Sequence, residues 1–466
     1  MAIDTSTAAS PGWWLNRLMT RLGEQQGRYQ LLDSYYRGEP PLPTNSAKQT
    51  FREFQRKAQL NLAALVVDSV VDRMRPVGFR TGGDPDPLGD AQAWAMWQAN
   101  NLDGEAPLLF RAKKTMSVAY AIVGGPSPAA GGRPLITCED PRQVITEPDP
   151  ANRRSTIAAL KVWVDDVFLV DRAKLYLPGE VWTAKRTRNV SSELTFDASG
   201  WEWEGNGERL PTFAKTVVPV VRFPNRADLA GNCIGEFEDV IPSLDRIHIT
   251  ILQRMVVGAL QAFRQRAVKG DLPDKDLDGN AIDYDAIFEA DPGAFWRLPT
   301  GVDIWESAGV DLTPLLESVK ADVRYVLATT RTPLHSMFPD AVNGSAEGAS
   351  LGREGLIFKT ADDIVQTSDP LEQTMSLAFL FAGDTQRADR SDMEVLWQPP
   401  ERVSLAERYD AATKAKAADV PWETVMRDVL GFSPQQITTM KADRLAEAFM
   451  ANPTPTGTSV DVGTAG

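Results

Sequence analysis

Histidine is almost missing from this chain: His248 and His335 are the only two in 466 residues. That scarcity bears on serine-hydrolase chemistry. A serine nucleophile needs an imidazole to take its proton, and in the strand-turn-helix elbow the histidine follows the serine in sequence. The stretch GASLG, Gly348 to Gly352, matches G-x-S-x-G with Ser350 at its centre. Both histidines precede Ser350, and the residues before Gly348 are polar and glycine-rich rather than a buried strand. A serine hydrolase using Ser350 is kept only as an alternative, no residue is assigned as catalytic, and the chain is read as a non-enzyme.

Cysteine is equally scarce. Cys138 and Cys233 lie far apart with no C-x-x-C partner, which argues against a disulfide framework or a zinc site and fits a reduced, cytosolic setting. No Gly-Lys dipeptide occurs, so the loop that cradles ATP phosphates is absent, and an ATP motor with it. Basic residues are outnumbered: 49 Lys and Arg stand against 63 Asp and Glu, for a formal charge of -14. A surface that grips nucleic acid needs clustered Lys and Arg, whereas a protein past which DNA slides is served by an acidic balance with only local basic groups. Long apolar runs are lacking too, and the start, MAIDTSTAASPGWW, has no charged n-region or apolar h-region. The expectation is a protein neither secreted nor embedded in a membrane.

What is present is the composition of a globular chain, 43% hydrophobic and 24% charged, long enough for two to four compact regions. Apolar spacing predicts helices over Trp13 to Tyr36, Thr50 to Met74, Ala91 to Gln98 and Pro107 to Ala121. The period then changes, and Ile157 to Val170, Glu180 to Arg186, Glu193 to Phe196 and Val217 to Phe223 read as strands. The strongest pattern is Ser243 to Lys269, a single amphipathic helix with Ser243 as N-cap and Gly270 as stop. Two candidate strands, Phe295 to Leu298 and Val302 to Trp305, sit before a helix over Leu315 to Thr330. A helix from Arg353 to Phe381 is expected to be interrupted at Pro370, with Ser350 as a cap near its start. Glu394 to Trp397 reads as a return strand, Val403 to Ala418, Trp422 to Leu430 and Pro434 to Met450 as closing helices, and Asn452 to Gly466 as a disordered tail. The fold class is α+β and helix-rich.

Other candidate sites have bland counterparts. The stretch DKDLDGNAIDYD places Asp274, Asp276, Asp278 and Asp285 at loop positions 1, 3, 5 and 12 with Gly279 at position 6, close to a calcium loop. Position 12 is Asp rather than a bidentate Glu, and Pro292-Gly293 leaves no room for an exiting helix, so an acidic surface turn is the main reading and no cofactor is assigned. His248 falls on the apolar stripe and reads as a core or interface histidine. Lys185-Arg186-Thr187-Arg188 reads as a solvated turn, and Trp201 and Trp203 as sheet packing. Arg254, Arg264, Arg266 and Lys269 cluster toward one end of the long helix. They are either solvated helix charges or contacts to a polyanion or a neighbouring subunit.

A long helix, a small tip, a second helix, a glycine-rich loop and a third helix follow in an order that resembles the portal proteins of tailed bacteriophages. LLDSYYRGEPPLP (Leu31 to Pro43), NLAALVVDSVVDRMRPVGFR (Asn61 to Arg80), ILQRMVVGALQAFRQRAVKG (Ile251 to Gly270), DPGAFWRLP (Asp291 to Pro299) and RTPLHSMFPDAVNGSAEGASLGREGLIFK (Arg331 to Lys359) are similar to portals of long-tailed phages of actinobacteria. The similarity runs from about Trp13 to Met450. It implies a head-to-tail connector: a homo-oligomeric ring, usually of twelve subunits, at one capsid vertex, passing double-stranded DNA without sequence specificity during packaging and ejection. It further implies docking to the terminase large subunit, the scaffold or major capsid protein and a head-tail adaptor, and location in the virion. By position in that order, residues 1–240 would form a wing, 241–270 the first stem helix, 271–312 a small β-containing clip and 313–337 the second stem helix. Residues 338–352 would be the tunnel loop, including Asn343, Gly344, Ser345, Glu347, Gly348, Ser350 and Gly352. Residues 353–400 would return to the wing, 401–450 form a helical crown and 451–466 a tail. Another virion structural protein, an adaptor or minor capsid component, is the alternative in the same class.

Overall fold

A computed structural model describes residues 3–44, 48–84, 89–188, 194–211, 214–262, 266–270, 274–275, 279, 281–284, 303–306, 309–337, 346–401, 405–432 and 434–451. Ser10 opens the first helix, α1 (Pro11–Arg37), by accepting the Trp13 N–H, and Gly38 closes it at φ 77, a left-handed cap that glycine adopts without a Cβ clash. The single helix expected over Thr50 to Met74 is two, α2 (Gln49–Lys57) and α3 (Leu62–Val71). The break falls where Asn61 leaves helical geometry and its side chain accepts the Ala64 N–H at 3.1 Å.

Strand β1 (Pro76–Arg80) precedes α4 (Ala91–Ala99) and α5 (Leu102–Met116). The latter ends earlier than its apolar period suggests, because Ser117 turns left-handed at φ 68 and the chain leaves as a strand. The strands that follow are β2 (Val118–Ser127), β3 (Arg133–Glu139), β4 (Val144–Pro148), β5 (Thr156–Asp165), β6 (Val170–Leu177), β7 (Glu180–Thr187), β8 (Glu202–Trp203), β9 (Glu208–Arg209) and β10 (Val220–Pro224). Glu193 to Phe196 is no strand over its described residues, 194–196. Lys185, Arg186 and Thr187 lie in β7 rather than in a turn.

The long helix α6 (Ile241–Ala262) continues directly from a 3-10 turn at Glu238–Val240, so Ser243 lies inside its first turn and is not the cap. It also stops short of Lys269. Arg266–Lys269 is strand β11, paired with β12 (Asp303–Glu306). Helix α7 (Thr313–Thr329) follows, and α8 (Ala346–Ala382) runs 37 residues with Pro370 inside it. The interruption expected at Pro370 is absent from the hydrogen-bonding pattern, since one missing N–H removes one rung while flanking turns hold. Strand β13 (Glu394–Trp397), helix α9 (Leu405–Ala417), a short helical turn at Trp422–Thr424 running into a π-turn at Val425–Val429, and α10 (Pro434–Ala451) complete the chain.

All pairings are antiparallel. β10-β2-β3 form one sheet, β4-β5-β6-β7-β8 a second with β9 also on β7, and β1 pairs with β13. In the β6–β7 hairpin, Gly179 sits at φ 77, and a Cβ there would lie 2.7 Å from the Lys215 carbonyl oxygen, so only glycine fits the turn.

The chain divides into two compact units, one drawing on Met1–Gly38, Asn61–Val240 and Leu327–Gly466, the other on Glu39–Leu60 and Ile241–Val326. In the first, α1 lays Leu15, Leu18, Met19 and Leu22 on Leu160, Val162, Ala173, Leu175 and Ala184 of the larger sheet, with Trp201 closing the cluster. Full burial of such side chains contributes about 1.5–3 kcal/mol each. Helix α8 packs on β2 and β3.

In the second unit, α6 and α7 run antiparallel. Arg246 donates to both Asp322 carboxylate oxygens at 2.9 and 2.8 Å. Twelve residues on, Leu312 lies 3.7 Å from where a Cβ on Gly258 would be. The apolar side of α6 carries His248, buried as expected of a core histidine, with Nε2 3.1 Å from the Leu60 carbonyl oxygen. Helix α2 packs on α6, so residues 39–60 belong with the long helices rather than with the residues on either side.

Candidate functional site

Two helices border the glycine-rich segment, and a buried ionic network joins the residue that follows the first, Thr330, to the middle of the second. Helix α5 places Lys113 and Lys114 side by side on its inward face, both almost wholly buried. Lys113 Nζ donates to Asp363 Oδ1 at 2.7 Å and to Thr367 Oγ1 at 2.6 Å. Lys114 Nζ lies 3.1 Å from the same Asp363 oxygen and donates to Glu236 Oε2 at 2.9 Å. Lys359 completes the set, 2.6 Å from Glu236 Oε1 and donating to the Thr330 carbonyl oxygen at 2.6 Å. One network therefore ties α5, the 225–240 connection, the residues following α7 and two turns of α8.

Its electrostatics follow from burial. Desolvation pushes Glu236 up, but Lys114 and Lys359 more than reverse it and hold the carboxyl at about 2. Burial lowers Lys113 and Lys359, opposed by Asp363 and Glu236 respectively. Asp363 Oδ2 and Asn225 Oδ1 are buried without a hydrogen-bond partner among the described residues. A cavity of about 270 Å³ adjoins the network, lined by Lys114, Glu236, Thr330, Arg331, Lys359 and Asp363 among others. Such an arrangement fixes position; it presents no nucleophile beside a base.

The residues singled out from sequence are dispersed. Asn343, Gly344 and Ser345 lie outside the described residues. Glu347, Gly348, Ser350 and Gly352 are helical, within the first two turns of α8, which begins at Ala346 rather than near Arg353. Ser350 is therefore no helix cap, and GASLG lies inside a helix with helical Ala346 and Glu347 directly before it, where a nucleophile elbow needs a strand ending at the first glycine. The basic cluster is split: Arg254 stands on α6, Arg264 lies outside the described residues, and Arg266 and Lys269 belong to β11. They do not share one helix face. Asp274 falls in a bend, while Asp276, Asp278 and Asp285 lie outside the described residues.

Other charges are already engaged. Arg186 and Arg188 reach the buried Asp171 at 2.9 and 3.4 Å, and Arg186 also stacks over Trp201 with 4.7 Å to the ring centroid. Both cysteines are free; burial pushes the Cys138 thiol up to about 12 and raises Cys233, leaving little thiolate at neutral pH.

Sequence reasoning missed the lysine network, although a signal was there. Lys113 follows Leu109 by four and Phe110 by three, and Thr360, Asp363 and Thr367 recur on the inward stripe of α8. Polar residues at core positions of two helices need one another.

The family model for phage portal protein, SPP1 Gp6-like, matches residues 16–448. The portal protein of Mycobacterium phage D29 is 26% identical over 463 residues, covering 95% of this chain and 90% of that one. The portal protein of Mycobacterium phage L5 is 27% identical over 380 residues, 78% of this chain and 74% of that one. Among solved structures, the neck of a native gene transfer agent particle, computed with C12 symmetry, is similar at 12% identity and a TM-score of 0.43, covering 79% of this chain and 88% of that one. The virion of the native particle is similar at 11% identity and the same TM-score, covering 83% and 94%.

Proposed function

Because the chain belongs to the SPP1 Gp6-like family of phage portal proteins, we propose that about a dozen copies close into a ring at one capsid vertex, through which double-stranded DNA enters and leaves. The observation that carries this reading is the family match across nearly the whole chain, residues 16–448. The partners are the terminase large subunit during packaging, the scaffold or major capsid protein at the vertex, and a head-tail adaptor afterwards. The protein acts in the virion after assembly in the host cytoplasm, and does no covalent chemistry.

In this reading α6 and α7 are the stem, and the β11–β12 ribbon belongs to the clip. From Leu252 to Gly258, α6 keeps Met255, Val256 and Val257 only half-buried within one subunit, apolar positions that a neighbouring subunit in a ring would cover. Residues 338–352 border the channel, 346–352 as the leading turns of α8. The glycines suit a segment that changes backbone conformation as DNA moves. Arg254 and Lys269 contact DNA or the adjacent subunit. The lysine network fixes the middle of α8 to α5 and to the residue after α7.

Native mass spectrometry with negative-stain imaging tests the assembly. A closed ring of about a dozen subunits with an open centre is the expected result; a stable monomer that turns over an ester would overturn the reading. For the tunnel segment, bulkier residues at Gly344 and Gly348 should leave the ring intact and lower the DNA content of particles. Unchanged DNA content would set that role aside.

A further inference from the structure

Within the first unit, a second cavity of about 550 Å³ lies between helix α1, β2 and β10 of the small sheet, and β4 of the larger one. Arg21, Gln25, Arg28 and Tyr29 fall on one face of α1, at i, i+4, i+7 and i+8, and all four line it. The sheet contributes Tyr120 of β2 and Arg222 of β10, which stand opposite one another in register. Thr146 of β4 and the exposed Arg153 and Asn232 complete the rim. The space between a helix and a sheet normally fills with apolar side chains; here four guanidinium groups, those of Arg21, Arg28, Arg153 and Arg222, surround a void.

Their charges are unequally matched. Arg28 is held by both oxygens of Glu238 at 2.7 Å each. Arg21 shares Glu147 with Arg17. Arg222 meets only neutral groups, the Gly231 carbonyl oxygen at 3.3 Å and Cys233 Sγ at 3.0 Å. Neither it nor Arg153 has a carboxylate within ion-pair reach among the described residues. Two uncompensated guanidinium groups beside a cavity are unexpected in a chain of net charge -14.

We propose that this cavity is a phosphate-binding site, in which Arg222 and Arg153 take the phosphate oxygens and the hydroxyl-bearing Tyr29, Tyr120 and Thr146 line the remainder. A single carboxylate is satisfied by one guanidinium fork, whereas a phosphate presents more oxygens and up to two charges, matching two open guanidinium groups. Burial raises both tyrosines, so their hydroxyls stay protonated donors at neutral pH. The phosphate is either a free anion or part of a nucleic-acid backbone, and the exposed rim at Arg153 and Asn232 leaves the cavity open to either.

The test is titration calorimetry on the full-length protein with inorganic phosphate and, separately, with a short DNA duplex. Wild type should bind phosphate saturably, and Arg222→Gln should weaken binding about tenfold or more with an unchanged thermal melt. Arg153→Gln, at an exposed position, should weaken it without touching the core and decides the matter if Arg222→Gln fails to fold. Arg80→Gln, whose partner is Glu394, should bind as wild type. Duplex that displaces phosphate from wild type would assign the site to backbone phosphate, and duplex that does not would assign it to the free anion. No saturable phosphate binding, equal binding by acetate, or full affinity in both variants would overturn the proposal.

Discussion

Glu236 accepts from two ammonium groups while almost wholly buried, which makes it the residue on which the anchor of α8 turns. Replacing it with Gln leaves Lys114 and Lys359 facing a neutral amide in a dry site, and breaking a buried pair in this way costs roughly 3–5 kcal/mol. Urea unfolding of Glu236→Gln should show a loss of that order, and a midpoint shift within error of wild type would remove the network from the stability account. The pH dependence has a definite sign. Folded Glu236 titrates near 2 and its ordinary value is 4.5, so between them the unfolded chain takes up the proton first. Its contribution is complete above about 4.5 and lost as pH falls toward 2; Glu236→Gln should flatten the stability profile within that window. None of these five charged residues was legible as a site, because the lysines and Asp363 signalled only as polar residues on helices, Glu236 lies in a turn, and the partner of Lys113 lay 250 residues away.

At the scale of elements, the inward face of α8 carries Thr360, Thr367 and Thr374 at seven-residue spacing, all buried. Each hydroxyl donates to the carbonyl four residues back, at 2.8, 2.6 and 2.8 Å, which satisfies it within its own helix. Small, self-satisfied side chains let α8 lie close on β2, where Ala119 and Ala121 are also small and buried. Thr367 alone also accepts from Lys113. Thr374→Val should therefore change unfolding free energy by less than about 1 kcal/mol, while Thr367→Val should cost about 1–3 kcal/mol by leaving a buried ammonium under-satisfied. Equal effects from the two substitutions would contradict that difference.

The helices with strong periodicity, α1, α6 and α7, were legible to within a few residues at most ends. The errors have physical causes. Arg266–Lys269 kept the helical spacing but was drawn into a ribbon by Asp303–Glu306. Val118–Ser127 continued an apolar pattern that a left-handed Ser117 ended. The glycines of 346–352 suggested a loop, yet isolated glycine costs a helix only about 1 kcal/mol relative to alanine.

For the whole molecule, family membership rests on similarity spread across the chain rather than on any one motif, which is why the resemblance was legible in sequence while individual contact residues were not. Salt offers a check at this scale. If phosphate contacts are few and local, duplex affinity of the assembled ring should fall only weakly between 50 and 200 mM salt, with a log–log slope of about -1 to -3. A slope near -10 would instead describe a surface that grips.

Among the described residues, strand β1 near the start of the chain is paired by β13 alone, and Arg80 reaches Glu394 across 314 residues. The unit they belong to is split in sequence by the whole of residues 241–326. A ribosome making this chain thus releases α1, α3, α5 and the sheets long before α8 and β13 exist to cover them. Growing at about 5–20 residues per second, the nascent chain spends tens of seconds with that apolar surface open. Association between neighbouring nascent chains would trap it in that state, so in the proposed ring, maturation of the subunit precedes closure, and chaperone depletion should cut the yield of soluble subunit before it alters the shape of any rings that form.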